Sequence, residues 1–197
     1  MSKSHKYYII YKPYRVLTQF TEEAGNPGLG SIYQIAKDVY PVGRLDLDSE
    51  GLLILTNDRT LNARLLDPKY KHKRTYWVEV DGVPSESALD LMRNGLEINV
   101  KGMYSTLPCE VAIIEEPDLE ERDPPVNYLK HPNRCWLEVK LIEGKNRQVR
   151  KMTAKIGHPT LRLVRVGIED LSVFPLQSGG ITQISKNALY KKLKMDT

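Results

Sequence analysis

The chain has 197 residues, 41% hydrophobic and 27% charged, with a net charge of +4 and two cysteines. That length suits one domain, or one domain in two lobes, and the composition excludes a disordered, collagenous or disulfide-rich chain. No apolar run approaches the roughly 18 residues of a membrane span, and the apolar part of the N-terminal "MSKSHKYYII" is too short for a signal peptide.

"YYIIYKP" (7–13) predicts a strand that Pro13 stops. "EEAGNPGLG" (22–30) is turn-rich, and its glycines complete no dinucleotide fingerprint. In "GRLDLDSEGLLILTND" (43–58), two glycines bracket three acids, Asp46, Asp48 and Glu50, ahead of a short buried strand, "LLILT" (52–56). Asn57 or Asp58 is placed to cap a following helix whose inner side carries Leu61 and Leu65. "RTYWVEV" (74–80) alternates, so Tyr76, Val78 and Val80 share one face and Thr75, Trp77 and Glu79 the other.

"SESALDLMRNG" (85–95) reads as a helix capped by Ser85 and ended by Gly95. Residues 115–133 are acidic and proline-bearing, as a loop is. "CWLEVKLIEG" (135–144) alternates again, with Cys135, Leu137, Val139 and Leu141 on one face. "NRQVRKMTAKIG" (146–157) predicts a helix with Val149, Met152, Thr153 and Ile156 as its apolar stripe. At 100° per residue Arg150 falls on the border of that stripe, while Arg147, Lys151 and Lys155 lie well outside it. Strands and helices mix without a strict β-α-β rhythm, so an α+β fold with a mixed, mainly antiparallel sheet and flanking helices is expected.

Charge is unevenly spread. Without "EEPDLEERD" (115–123), which holds six acids and one arginine, 29 basic against 25 acidic residues becomes 28 against 19. Basic residues gather in "KYKHKR" (69–74), "KNRQVRKMTAK" (145–155), "LRLVR" (161–165) and "KKLK" (191–194). A basic surface interleaved with tyrosines suggests a polyanion such as nucleic acid; an ordinary lysine-rich surface is the plainer alternative. Cys109 and Cys135 fit no metal spacing and the four histidines are scattered, so a reduced cytoplasmic setting without metal is expected.

Three groups of residues invite a chemical reading. The acids of 46–50 are turn formers, a cation site or catalytic carboxylates; the spacing and glycine position of a calcium loop fail. A border arginine such as Arg150 is held by packing while its guanidinium reaches a carboxylate. Tyr76, sharing a face with two valines, is a core tyrosine or, in a nucleic-acid enzyme, a platform for an unstacked base.

Together "VGRLDLDSEGLLILTND", "KRTYWVEV", "EGKNRQVRKM" and "LRLVRVGI" resemble, in order, spacing and identity, the RsuA-type family of rRNA pseudouridine synthases. The opening "YKPYRVLTQFTEEAG" is similar to a branch of that family acting on large-subunit rRNA. The resemblance implies a single catalytic domain over 1–197, in two lobes about an RNA-binding cleft, without the N-terminal S4 module that many members carry. It implies Asp46 as catalytic aspartate, Tyr76 as the tyrosine stacking on the target base and Arg150 as the basic partner of the aspartate. Leu163 falls on an apolar residue against the base. Arg44, Arg147, Lys151 and Arg165 are expected to bind the substrate. The expected protein is a monomeric, cytoplasmic isomerase that binds ribosomal RNA and needs neither cofactor nor metal, nucleotide or membrane. The alternatives are the same chemistry on small-subunit rRNA or tRNA, a non-catalytic rRNA-binding assembly factor, and a glycoside hydrolase drawing its second carboxylate from Asp48 or Glu50.

Overall fold

The structure is a computed structural model and describes residues 4–196. The first three residues of the charged start, weighed above against a signal peptide, lie outside the described residues. In chain order the elements are β1 (Tyr7–Lys12), β2 (Tyr40–Pro41), β3 (Glu50–Thr56), α1 (Arg59–Leu66), β4 (Arg74–Asp81), α2 (Glu86–Asn94), β5 (Glu97–Asn99) and β6 (Met103–Ser105). There follow β7 (Glu110–Ile114), β8 (Arg134–Leu141), α3 (Gln148–Lys155), β9 (Thr160–Ile168), β10 (Leu171–Ser172), β11 (Ile181–Gln183) and α4 (Lys186–Lys192). This is an α+β fold, and the chain divides into two compact units.

The first unit comprises residues 1–72 and 165–197. Its sheet runs β11-β1-β3-β9, with β2 on β3 and β10 on β9. The pairings of β1 with β11 and β3, of β2 with β3 and of β10 with β9 are antiparallel. Every residue of β3 is buried. Leu53 and Leu55 pack with Ile10, Val16, Leu29, Tyr33, Val39 and Leu45, so the segment after β1 wraps one face of the sheet. Burial of each such side chain contributes about 1.5–3 kcal/mol. β3 begins two residues before the predicted apolar run, at Glu50 and Gly51. A side chain on Gly51 would collide with the carbonyl of Arg165, and its φ of 101° is one that glycine adopts freely.

Asp58, not Asn57, caps α1, accepting from the N–H groups of Thr60 at 2.9 Å and Leu61 at 3.2 Å. Its other oxygen accepts the hydroxyls of Tyr7 at 2.8 Å and Tyr190 at 2.9 Å, joining β1, α1 and α4. Burial works to raise this carboxyl's pKa, but the bonds from Tyr7, Tyr190, Leu61 and Thr60 together overcome it and hold the group below its ordinary value.

The second unit spans residues 73–164. β4 pairs antiparallel with β8 and β8 with β7, and the hairpin β5–β6 stands as a separate pair. The alternation holds on the expected face: Val78, Val80, Leu137, Val139 and Leu141 pack with Leu89 and Met92 of α2 and Val149 and Met152 of α3. α2 begins after Ser85, which caps it, and ends at Gly95.

The other face is covered too. Glu79 is 0% exposed and Trp136 5%. The acidic loop after β7 lies there. Arg162 donates to the Glu120 carbonyl at 2.9 Å, and Arg134 stacks over the Tyr128 ring at 4.0 Å while donating to Glu79 at 2.8 Å. Burial raises the Glu79 pKa against the opposing pull of Arg134. The loop, which had no role assigned from sequence, therefore closes the back of this sheet.

Candidate active site

In the first unit the acidic segment is pinned at several points. Thr18 brackets Leu45, donating its hydroxyl to the Leu45 carbonyl at 2.5 Å and accepting the Leu45 N–H at 3.1 Å. The Arg15 N–H donates to Leu47 at 2.9 Å, and the Ser49 N–H closes a turn on the Asp46 carbonyl at 3.0 Å. Asp46 and Asp48 are half-buried, Glu50 is buried and Arg44 is exposed. Among the described residues no group of three or more His, Cys, Asp or Glu side chains is arranged to hold a metal ion.

Two buried basic residues of this same unit lie beside the start of β3. Lys12 lies opposite Gly51 in the β1–β3 register and is 0% exposed. Its ammonium donates to the carbonyls of Val16 at 2.6 Å and Pro13 at 2.9 Å. Burial lowers its pKa to about 7, although Glu50, Asp48 and Asp46 each pull it upward; Arg165 adds a repulsion. Arg165 is 5% exposed and its Nε donates to the Leu52 carbonyl at 2.9 Å. The negative charge at the mouth of β3 thus sits over a buried lysine and a buried arginine. Sequence reasoning missed Lys12; the available signal was a lysine ending an otherwise apolar strand, just before a proline.

Arg165 was expected among the substrate-binding residues and Arg162 counted toward a basic surface, yet both are buried. Arg162 donates to the Glu120 carbonyl and Arg165 to the Leu52 carbonyl.

The remaining candidates belong to the second unit. Tyr76 is half-buried and packs against the core cluster that contains Leu163, which is 6% exposed. Arg150 is half-buried, with a weak 3.5 Å bond from its guanidinium to the Thr160 carbonyl. Arg147 is exposed and Lys151 half-buried, its ammonium donating to the Asn146 side-chain Oδ1 at 3.3 Å.

The helix begins at Gln148, two residues later than its apolar pattern suggests, because Arg147 has φ 53° and ψ 34°. A left-handed arginine costs about 1–2 kcal/mol. The turn is held by Gln148, whose amide oxygen accepts the Lys145 N–H at 3.0 Å and whose amide nitrogen donates to Glu143 at 2.6 Å. Glu143 also accepts the Leu107 N–H at 2.8 Å and the Tyr104 hydroxyl at 2.5 Å. These two residues of the "EGKNRQVR" stretch support the turn on which Arg147 sits.

The fold is thus α+β, with a pinned acidic turn in the first unit and, in the second, an arginine-bearing helix. The family model described as RNA pseudouridylate synthase matches residues 6–155. The chain belongs to that family and is an RNA pseudouridine synthase, an isomerase. It is 49% identical over 177 residues to the ribosomal large subunit pseudouridine synthase E of Vibrio parahaemolyticus, covering 90% of this chain and 73% of that one. It is 46% identical over 164 residues to the protein of the same name from Xanthomonas axonopodis pv. citri, covering 82% and 85%. Among solved structures, a crystal structure of a pseudouridylate synthase superimposes with a TM-score of 0.79 at 20% identity, over 96% of this chain and 74% of that one, a likeness of fold.

Proposed function

We propose that this protein converts a uridine of large-subunit ribosomal RNA to pseudouridine, working as a monomer in the cytoplasm, with Asp46 as its catalytic carboxylate. The observation that carries the RNA target is the 46–49% identity to large-subunit synthases over most of the chain. The position of Asp46 in "GRLD", on a turn fixed from both sides, supports its role.

The reaction breaks the N1–C1′ bond, turns the uracil and joins C5 to C1′. C5 releases a proton and N1 gains one, so no redox partner or group donor is required. The uridine must leave its stack, at a cost of a few kcal/mol. Contacts of Arg44, Arg147 and Lys151 with phosphates offset that cost. Asp46 acts either as nucleophile or as base toward the ribose. Tyr76 supplies a flat, half-buried surface for the base, Leu163 an apolar neighbour, and Arg150 the guanidinium that the chemistry recruits. Lys12 and Arg165 place basic side chains beside the start of β3, next to the acidic turn.

The test is to map pseudouridines by carbodiimide chemistry in large-subunit rRNA with and without the protein, and with Asp46→Asn. The expected result is one new pseudouridine, absent with a folded, RNA-binding Asp46→Asn. Turnover by Asp46→Asn overturns the role of the aspartate. A modified tRNA or small-subunit rRNA, with large-subunit rRNA untouched, overturns the target.

A further inference from the structure

The first unit has a polar cleft at the opposite end of β3 from the acidic turn. Its volume is about 700 Å³, and it is lined where β2, the end of β3 and the start of α1 meet. Tyr40 stands at this cleft 62% exposed, an unusual state for so large a ring. Lys37 and Arg59 line it as well; both are exposed, and among the described residues neither makes an ion pair.

Arg59 is the first residue of α1, and no acidic residue occupies that first turn. A cation there faces the positive end of the helix dipole, where an acid, not a base, is stabilising. Such a local mismatch, with no ion-pair partner among the described residues to offset it, suits a position that meets something outside the chain. The two carboxylates of the cleft are already engaged. Asp58 accepts two tyrosine hydroxyls and two backbone N–H groups, and Asp38 accepts the Asn57 amide at 3.1 Å.

We propose that this cleft holds a nucleotide of the RNA strand flanking the target uridine, its phosphate on Lys37 and Arg59 and its base on Tyr40. Bare cations beside an exposed aromatic ring are the two halves of single-strand recognition: backbone charge and base stacking. The position fits a strand leading away from Asp46. Tyr40 and Asp46 are six positions apart, so the chain between them spans at most about 20 Å. That is on the order of six nucleotides of stacked strand, at about 3.4 Å each. Exposed Arg44 stands between them along the chain.

The inference rests on RNA being the substrate, but not on which residue performs the chemistry. The probe is therefore a binding measurement: a fluorescein-labelled single-stranded U12 oligoribonucleotide, titrated with the full chain by anisotropy over a series of salt concentrations. Lys37→Ala with Arg59→Ala is expected to weaken binding about tenfold and to reduce the slope of log affinity against log salt by about 1.4, the value for two phosphates of a single strand. Tyr40→Ala is expected to weaken it about fivefold or more with the slope unchanged, as loss of one stacked base does. In U12 carrying 4-thiouridine, photocrosslinks are expected to map to the peptide containing Tyr40. Asp46→Asn, run alongside, is expected to retain U12 binding, so a failed catalytic assignment leaves this reading intact. Affinity within twofold of the unsubstituted chain for all three substitutions, with an unchanged slope, overturns the proposal. So does UMP binding that is lost in these variants while U12 binding is kept, because the cleft then takes a free nucleotide.

Discussion

The side-chain amide of Gln148 donates to the carboxylate of Glu143 at 2.6 Å, and this one bond links the start of α3 to the end of β8's extension. Glu143 is also the acceptor for the Tyr104 hydroxyl and the Leu107 N–H, so β6, the loop after it and the turn before α3 share one buried carboxylate. Glu143→Ala strands three donors. Each unsatisfied buried group costs about 1–3 kcal/mol, so a loss of roughly 3 kcal/mol or more in urea unfolding is expected. Glu143→Gln keeps an acceptor oxygen and should lose less. Because Arg147 and Arg150 ride on this turn and helix, turnover at permissive temperature should fall in the same order.

Lys12 gives a pH dependence of definite sign. Its pKa is about 7 in the fold, held down by burial, against 10.5 for an exposed lysine. Between those values the unfolded chain binds the proton that the folded chain lacks, so stability rises as pH increases from 7 to about 10. Below pH 7 both states carry the proton and the full burial penalty is present. The gain is on the order of a few kcal/mol. Chemical denaturation at pH 7, 8 and 9 should show the rise, and Lys12→Met should flatten it. A native chain whose stability is level or falling over that range contradicts the buried-lysine picture.

The Asp58 clamp predicts the acid side. Its carboxyl lies below the ordinary value, burial opposing and the tyrosine and backbone bonds prevailing. Stability from this group is complete above the unfolded carboxylate pKa and is lost as pH falls below that value through the folded one. Tyr190→Phe removes one bond to a charged acceptor, expected to cost about 1.5–3 kcal/mol at pH 7. Asp58→Ala also removes the helix cap, worth about 1 kcal/mol more, and leaves two buried hydroxyls unsatisfied. Thermal melts at pH 7 and pH 3 should show the difference between native and Tyr190→Phe chains shrinking in acid.

Periodicity made much of this architecture legible. The strands around Tyr8, Leu53, Trp77 and Leu137, and the helices capped by Asp58 and Ser85, follow from alternation, stripe and cap. β9 was not legible: "TLRLVRVGI" places two arginines inside a buried strand, and arginine reads as surface until its acceptors, the Glu120 and Leu52 carbonyls, are known. The β5–β6 hairpin has three residues per strand, too few for period to speak, and it depends on Glu143 far along the chain. Of the candidate site, Asp46, Tyr76 and Arg150 are named by the motif resemblance, since periodicity alone reads them as a turn former, a core tyrosine and a border arginine. Lys12, which sits opposite Gly51, was hidden because cross-strand register is a tertiary fact.

The arginines of α3 should separate chemistry from binding. Arg150 is half-buried on the border of the helix's apolar stripe, where Val149 and Met152 are core, whereas Arg147 is exposed on a left-handed turn at the helix start. Arg150→Leu keeps the apolar stem and removes only the guanidinium. It is expected to abolish most turnover with under about a threefold change in RNA affinity, the worth of a single phosphate contact. Arg147→Ala and Lys151→Ala act the other way: each should weaken RNA binding and lower the salt slope by about 0.7–0.9, the share of one phosphate contact, while saturating RNA restores most of the rate. Steady-state kinetics and anisotropy on the same preparations distinguish these outcomes. A purely affinity-based defect in Arg150→Leu reassigns that arginine to the RNA backbone and leaves the chemistry to Asp46 and its own unit.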